Sequence, residues 1–488
     1  MRSPTQKALC AVALVAGAIT LYFVVVPRTS PQSGKAVPVI LQKEKITAAT
    51  AAPDDGFAAI KALAEAIVAA TKANPNHEAK WDDIIRDLAH RYATTLQTDV
   101  ADNKMSRKAR AAFADGCHDP FVRYLAFRYN EECTHFSDEF HAKQGLAIVE
   151  ELQQGAYPPV MRAYAAERTY YAWRDVYGYQ KETAVANLLS DRLWQATFDA
   201  LHDPAIPERI NRPIARMVLF LWQGSKADRD EVAGQLESEF VKRYGDCATV
   251  HYLRSAQAIK NAWDARGAEY ADKVKEAGWK IFTSELAVAR QELELAWKLD
   301  PREVEIAKDM ITVCMGLGLP RPEMEQWFDR GVSTGHDASS LCVAKLYYLA
   351  ARWHGSFTEQ VTFARECLGH PQYGRATASL LWNAHVDHRS INGLPLSYFA
   401  EPDVWADIKL SLATCLEHNP DLERFRMQYC YHAWLAKDWP IVSEQLALFD
   451  PAKVDLTKIG GRTVYDQIVT DKKKHTEGRA IAETAGTR

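Results

Sequence analysis

Residues Arg352–Cys367 read "RWHGSFTEQVTFAREC", and the role of Gly355-Ser356 decides what kind of chain this is. Such a pair suits a phosphate-cradling turn, a nucleophile elbow, or the joint between two helices. A nucleophile elbow needs a strand before it, and a phosphate loop needs further glycines and a lysine. Instead "LCVAKLYYLAARW", Leu341–Trp353, is an amphipathic helical stretch, and "VTFAREC", Val361–Cys367, continues helically after the pair. Gly355 is expected in the left-handed conformation that ends a helix. Ser356 and Glu359 have the spacing of a capping box, serine capping forward and glutamate capping back. The pair therefore reads as a helix–turn–helix joint.

The same reading extends outward. "HEAKWDDIIRDLAHRYATTLQ", His77–Gln97, places Trp81, Ile84, Ile85, Leu88 and Tyr92 on one helical face. "AYAAERTYYAWRDVY", "LLSDRLWQATFDALHD", "RPIARMVLFLWQG" and "QELELAWKLD" keep that period. No stretch sustains apolar–polar alternation, and no Asn-Gly or Asp-Gly hairpin separates two such runs. The expected class is all-α. The breaks recur as "HDP" at His118–Pro120 and His202–Pro204, "LDP" at Leu299–Pro301 and "FDP" at Phe449–Pro451. In each, Asp can accept from the free amides of the next helix while Pro fits its first turn. Helices alternating with such breaks predict stacked helical hairpins, an α-solenoid, over 54–300 and 301–455.

Residues 1–53 are expected to lie outside that body. Arg2 and Lys7 precede a charge-free run, "ALCAVALVAGAITLYFVVV", from Ala8 to Val26. At 1.5 Å per residue the run spans roughly 28 Å, enough to cross a hydrocarbon core. Ala16-Gly17-Ala18 has the look of a cleavage site, but Ile19–Val26 continues apolar beyond it. The expectation is an uncleaved signal-anchor over 8–26 behind a cytoplasmic stub of residues 1–7. The body would then be periplasmic or otherwise extracytoplasmic, held off the membrane by the Pro-, Ser- and Lys-rich spacer 27–53. At the other end, residues 456–488 read as a polar tail, with "TDKKKHTEGRAIAETAGTR" expected to be disordered.

The 488 residues carry a formal net charge of -4, which offers no basic field for nucleic acid. Thirteen tryptophans and twenty tyrosines suit helix–helix seams or an aromatic-lined groove. Cys10 lies in the membrane run. The spacings 117/133, 342/367 and 415/430 each span one helical hairpin, so facing helices could bring those pairs together in an exported body. Free buried thiols fit the apolar surroundings of Cys314 and Cys342 equally well.

Two stretches resemble degenerate tetratricopeptide-type repeats. In "ARQELELAWKLDP", Ala289, Leu293, Ala296 and Pro301 fall at the spacing of that family's second helix and closing proline. "YHAWLAKDWPIVSEQLALFDP" is similar to a hairpin turning at "KDW". The unit's first helix, at Ala277–Trp279, departs from the pattern, and the 34-residue period is not kept. "RWHGSFTEQVTFARE" and "GCHDPFVRYLAFRY" also resemble an uncharacterised bacterial family of exported helical proteins. These resemblances imply a scaffold for a protein or peptide partner and no reaction or cofactor.

Three clusters could carry chemistry. Cys117, His118, Cys133 and His135 are zinc-competent, but their spacing matches no standard zinc pattern, so no metal is expected. His385, Asp387 and His388 place two imidazoles at i and i+3 on one helical face. Tyr164, Glu167, Tyr171 and Arg174 could line an aromatic groove of the kind that holds sugars between carboxylates. The first functional expectation is a non-enzymatic, membrane-anchored scaffold with no catalytic residue. The alternative is an all-α glycan-acting hydrolase with an aromatic cleft.

Overall fold

A computed structural model describes residues 55–98, 103–128, 139–177, 183–203, 206–221, 226–267, 271, 273–418, 420, 423–448, 451 and 456–485. Among them the regular structure is entirely helical. The helices are α1 (Asp55–Ala73), α2 (Asp82–Thr98), α3 (Asn103–Ala114), α4 (Pro120–Arg128), α5 (Glu139–Gln154), α6 (Pro159–Tyr177) and α7 (Thr183–His202). There follow α8 (Glu208–Leu221), α9 (Lys226–Tyr244), α10 (Ala248–Arg266), α11 (Glu276–Leu299), α12 (Val304–Leu317), α13 (Arg321–Val332) and α14 (Ser339–Tyr348). The last are α15 (Phe357–Gly369), α16 (Leu380–Asn392), α17 (Pro402–His418), α18 (Glu423–Leu435), α19 (Trp439–Leu448) and α20 (Arg462–Ala485). Most helices pack chiefly on their neighbours in sequence, most extensively α10 on α11, while α14 packs chiefly on α12.

Three apolar cores run along the chain. The first gathers buried residues from Leu63 to Leu253, the second from Tyr252 to Leu381, and the third from Ala378 to Ile468. The second core takes residues from both sides of the 300/301 division. In α11, Phe282, Leu286, Ala289, Leu293 and Ala296 are buried at alternating steps of four and three. That spacing keeps one stripe of a 3.6-residue helix facing its neighbours.

At the joint, the Ser356 hydroxyl accepts from the Glu359 amide at 3.2 Å and donates to the Glu359 carboxylate at 3.0 Å. That carboxylate also bonds the Ser356 amide and the Arg321 guanidinium. The capping box is present, but the preceding glycine acts differently from expectation. Gly355 is not left-handed. A Cβ built there would stand 2.3 Å from the Leu349 carbonyl oxygen. Glycine is required because two stretches of backbone touch, not because φ is positive. The chain needs that approach because α14 ends at Tyr348 and a run of turns, including His354 N to Tyr348 O at 3.2 Å, carries it back.

Other breaks divide in the same way. Asp119 accepts from the Phe121 and Val122 amides at 2.9 and 3.4 Å, as an N-cap should. Asp300 instead closes α11, and Glu303 caps α12. The "KDW" turn joins α18 to α19, with Lys437 left-handed at φ 60°. Ala277–Trp279 does not form a separate first helix. It is the first turn of α11, whose hairpin partner is α10.

The C-terminal segment corrects the expectation of a disordered tail. Residues Arg462–Ala485 form α20, and Ile459 and Ile468 are buried in the third core. Trp434 donates its indole N–H to Asp471 at 3.1 Å, and His475 stacks on Trp439. Val464, Tyr465 and Ile468 supply an apolar face just before the polar "TDKKKHTEG". The expected anchor, residues 8–26, and the spacer lie outside the described residues. Among the described helices none is long and apolar enough to cross a membrane.

Candidate functional site

A dense polar cluster lies where the first two cores meet. Arg212 and Arg216 stand one turn apart on α8, and both side chains point at α12 and the turn before it. Arg212 is 1% exposed. It donates to Thr249 Oγ1 and Glu303 at 3.0 Å, Asp300 at 3.0 Å and Glu208 at 3.1 Å. Arg216 grips both oxygens of Asp309 at 2.9 and 3.1 Å and reaches Glu305 at 3.2 Å, with Tyr252 beneath it at 5.3 Å. Lys308 bridges Glu305 and Asp309, and the Ser340 hydroxyl donates to Glu305 at 2.6 Å.

Burial pushes the Glu305 carboxyl upward, but Lys308 and Arg216 override it and lower it to about 2. Asp300 is lowered in the same way, with Arg212 overcoming burial. Both therefore stay ionised at neutral pH and have no proton to give. A glycan-acting pair needs two carboxyls whose environments push their pKa values apart. These two are pushed the same way, by cations they already hold.

A second polar cluster joins α15, α16, α17 and α18. His385 is buried, its Nε2 2.9 Å from Asp407 Oδ2 and its Nδ1 2.8 Å from the Tyr398 hydroxyl. Arg365 binds Asp407 through two bonds at 2.9 and 2.8 Å. Beside it, His432 Nε2 accepts the Trp382 indole N–H at 3.0 Å and packs edge-on against Phe399. Burial first, then Arg389 and His385, lowers His432 to about 3. Burial also lowers His385 despite Asp407. Both imidazoles are thus neutral, and they act as fixed hydrogen-bonding parts of a core.

The residues singled out from sequence are distributed as follows. His385 takes its carboxylate from Asp407 on α17, not from Asp387, whose own carboxyl is raised by burial against the pull of Arg352. The His388 ring stacks on Phe357 at 3.7 Å, and His385 meets the edge of the same ring at 5.5 Å. Tyr164, Glu167 and Tyr171 are buried on α6, and the two tyrosines belong to the first core. Glu167 lies 3.4 Å from Arg168 Nε. Arg174 falls in α6, with its side chain outside the described residues. Cys117 is buried and its thiol is pushed up by burial, while His118 packs edge-on against Phe113. Cys133 and His135 lie outside the described residues.

One surface feature escaped the sequence reading. On α11, Ile281, Val288, Leu295 and Leu299 are 46%, 47%, 43% and 50% exposed. They recur at steps of seven, seven and four, so they form a single stripe about a third of a turn from the buried one. Lys280 and Lys298 border the stripe and are exposed. The signal was present as a second apolar register inside "KIFTSELAVARQELELAWKL". It was masked because the first register satisfies helix periodicity alone.

Comparison of the chain with protein-family models, with curated proteins and with solved structures finds no match.

Proposed function

We propose that this chain is a non-enzymatic helical-repeat scaffold that docks a protein or peptide partner on α11, with the run Ala8–Val26 holding it to a membrane. The exposed stripe Ile281, Val288, Leu295 and Leu299 carries the reading. Single exposed aliphatic residues are ordinary, but four aligned along one side of a helix, the first three a heptad apart, make an apolar stripe of the kind that marks a binding site. The occupant that fits is an amphipathic helix with an apolar seam repeating every seven residues. Lys280 and Lys298 on one border call for acidic residues along the facing edge of that helix.

A photo-crosslinker placed at Val288 of the membrane-bound protein tests this. The expected result is one discrete adduct, competed by a synthetic helical peptide with a leucine heptad seam and an acidic border. Ile281→Glu with Leu295→Glu should abolish the adduct and leave the melting temperature within a few degrees, since both positions are surface. An adduct that survives those changes would overturn the docking site. An adduct with a second copy of the chain would replace the foreign partner by self-association. Release of reducing sugar from a glycan substrate by the purified body would overturn the non-enzymatic reading.

A further inference from the structure

Cys342 and Cys367 sit on the two helices joined at Gly355-Ser356, and each is buried, at 0% and 3% exposure. Both are free thiols, and the Cys342 side chain stands close enough to that of Cys367 for the two to interact. Independent contacts hold the two ends of this hairpin together. The Ser339 hydroxyl, three residues before Cys342, donates to the Tyr373 carbonyl at 3.2 Å. The Thr377 hydroxyl lies 3.3 Å from the Cys367 carbonyl. Gly374 passes so close to α14 that a Cβ there would stand 2.4 Å from Ser339 Oγ. The Tyr373 ring packs against Phe328 and stacks on His370, closing the outer side. The start of α14 and the end of α15 are thus both tied to the segment 370–377 by contacts that do not involve sulfur.

We propose that Cys342 and Cys367 form a disulfide-modification site, in which a small-molecule or protein disulfide oxidises the pair and locks α14 to α15. Cys367, the marginally exposed member, attacks as thiolate one sulfur of the oxidant RSSR, forming a mixed disulfide and releasing RS⁻. Cys342, as thiolate, then attacks the Cys367 sulfur, forming the Cys342–Cys367 bond and releasing the second RS⁻. Two protein protons go to the two leaving thiolates, so two thiols and one disulfide become one disulfide and two thiols. Burial pushes the Cys342 thiol upward and the adjoining Cys367 adds to it. The second step therefore proceeds slowly until the hairpin loosens, which makes the exchange selective for a catalysed or prolonged oxidation.

The chain allows an unambiguous readout. Trypsin places Cys342 in peptide 331–345 and Cys367 in peptide 366–375, each with no other cysteine. The full chain, purified reduced, is incubated natively with oxidised glutathione, quenched in acid, alkylated in denaturant and digested without reduction. The expected product is the linked pair 331–345/366–375, lighter by two hydrogens than the sum of its parts. Oxidised protein should melt a few degrees above reduced protein, because the bond restricts the unfolded chain. That difference should vanish in Cys342→Ala and in Cys367→Ala. Recovery of both wild-type peptides fully alkylated after native oxidation would overturn the proposal. So would stable glutathione adducts at either position, or linkage to a different cysteine. The wild-type peptide map decides the matter even if neither variant folds.

Discussion

Among the described residues, two polar clusters bury their side chains by different means. The seam of α8, α10 and α12 buries full charges and neutralises each with another. Arg212 alone holds Glu208, Asp300 and Glu303. The cluster of α16, α17 and α18 buries imidazoles in their neutral form beside one carboxylate, Asp407, with His432 accepting a single hydrogen bond from the Trp382 indole N–H. A buried ion pair repays its desolvation only when every member is matched, so removing one partner is far more damaging than replacing the whole set. A buried neutral imidazole avoids that penalty at neutral pH but must be charged in acid, which its surroundings oppose. One region is therefore vulnerable to substitution and the other to protons.

The strongest challenge to that contrast is Arg212→Met. It should cost about 3–5 kcal/mol, because three carboxylates lose their common cation inside the body. Urea unfolding would measure it, and a loss under about 1 kcal/mol would mean the seam is hydrated enough to tolerate an unpaired carboxylate. His432→Phe should cost less, about 1–3 kcal/mol, for the Trp382 N–H left without an acceptor. The same melts, run in parallel, decide the ordering. If His432→Phe proved the costlier change, the distinction between charged and neutral burial would fail.

The pH dependence separates the two regions by window. His432 has a folded pKa below its unfolded value of 6.5, so the unfolded chain binds the extra proton. Its contribution is fully present above pH 6.5 and is lost as pH falls toward about 3. Glu305 is also depressed, from 4.5 to about 2, so the stability it contributes is present above pH 4.5 and lost below it. Native-state hydrogen exchange should accordingly show α16–α18 opening first on acidification and α8–α12 later. Simultaneous loss of protection in both would show that the two regions unfold as one unit.

A smaller effect is expected at the joint in the second core. Ser356→Ala should cost about 0.5–2 kcal/mol by thermal melting, the ordinary loss of an N-cap. Asp is elsewhere an equal cap, but here the serine hydroxyl donates to Glu359. Ser356→Asp should therefore also destabilise, through two facing carboxylates. An Asp variant as stable as wild type would mean that Arg321 neutralises both, extending charge matching to this exposed joint.

Much of the fold was legible because helices announce themselves locally. The period that begins "LCVAKLYY", the Ser356–Glu359 spacing and Asp119-Pro120 all act within one or two turns of chain, although α14 stops at Tyr348 and the expected helical run to Trp353 is turns. Gly355 marked the right place for the wrong reason, since only the folded path brings Leu349 against it. The polar content of "TDKKKHTEGRAIAETAGTR" was equally visible, but not that Val464, Tyr465 and Ile468 ahead of it would dock α20 on the third core. The spacing of Cys342 and Cys367 allowed their approach, and the contacts around Tyr373 made it. Of the candidate sites, the histidines of α16 were noticed while Asp407, 22 residues beyond His385, could not be.

By itself the sequence determined an all-helical chain and where many of its helices begin and end. Those properties follow from backbone hydrogen bonding and side-chain period over fewer than ten residues. Only the tertiary structure decided that Arg212 would meet Asp300 and Glu303, 88 and 91 residues away, or that a second stripe of α11 would be left to solvent. Coulomb energy and desolvation depend on which groups the folded chain brings within a few ångströms, and separation along the sequence does not encode that distance.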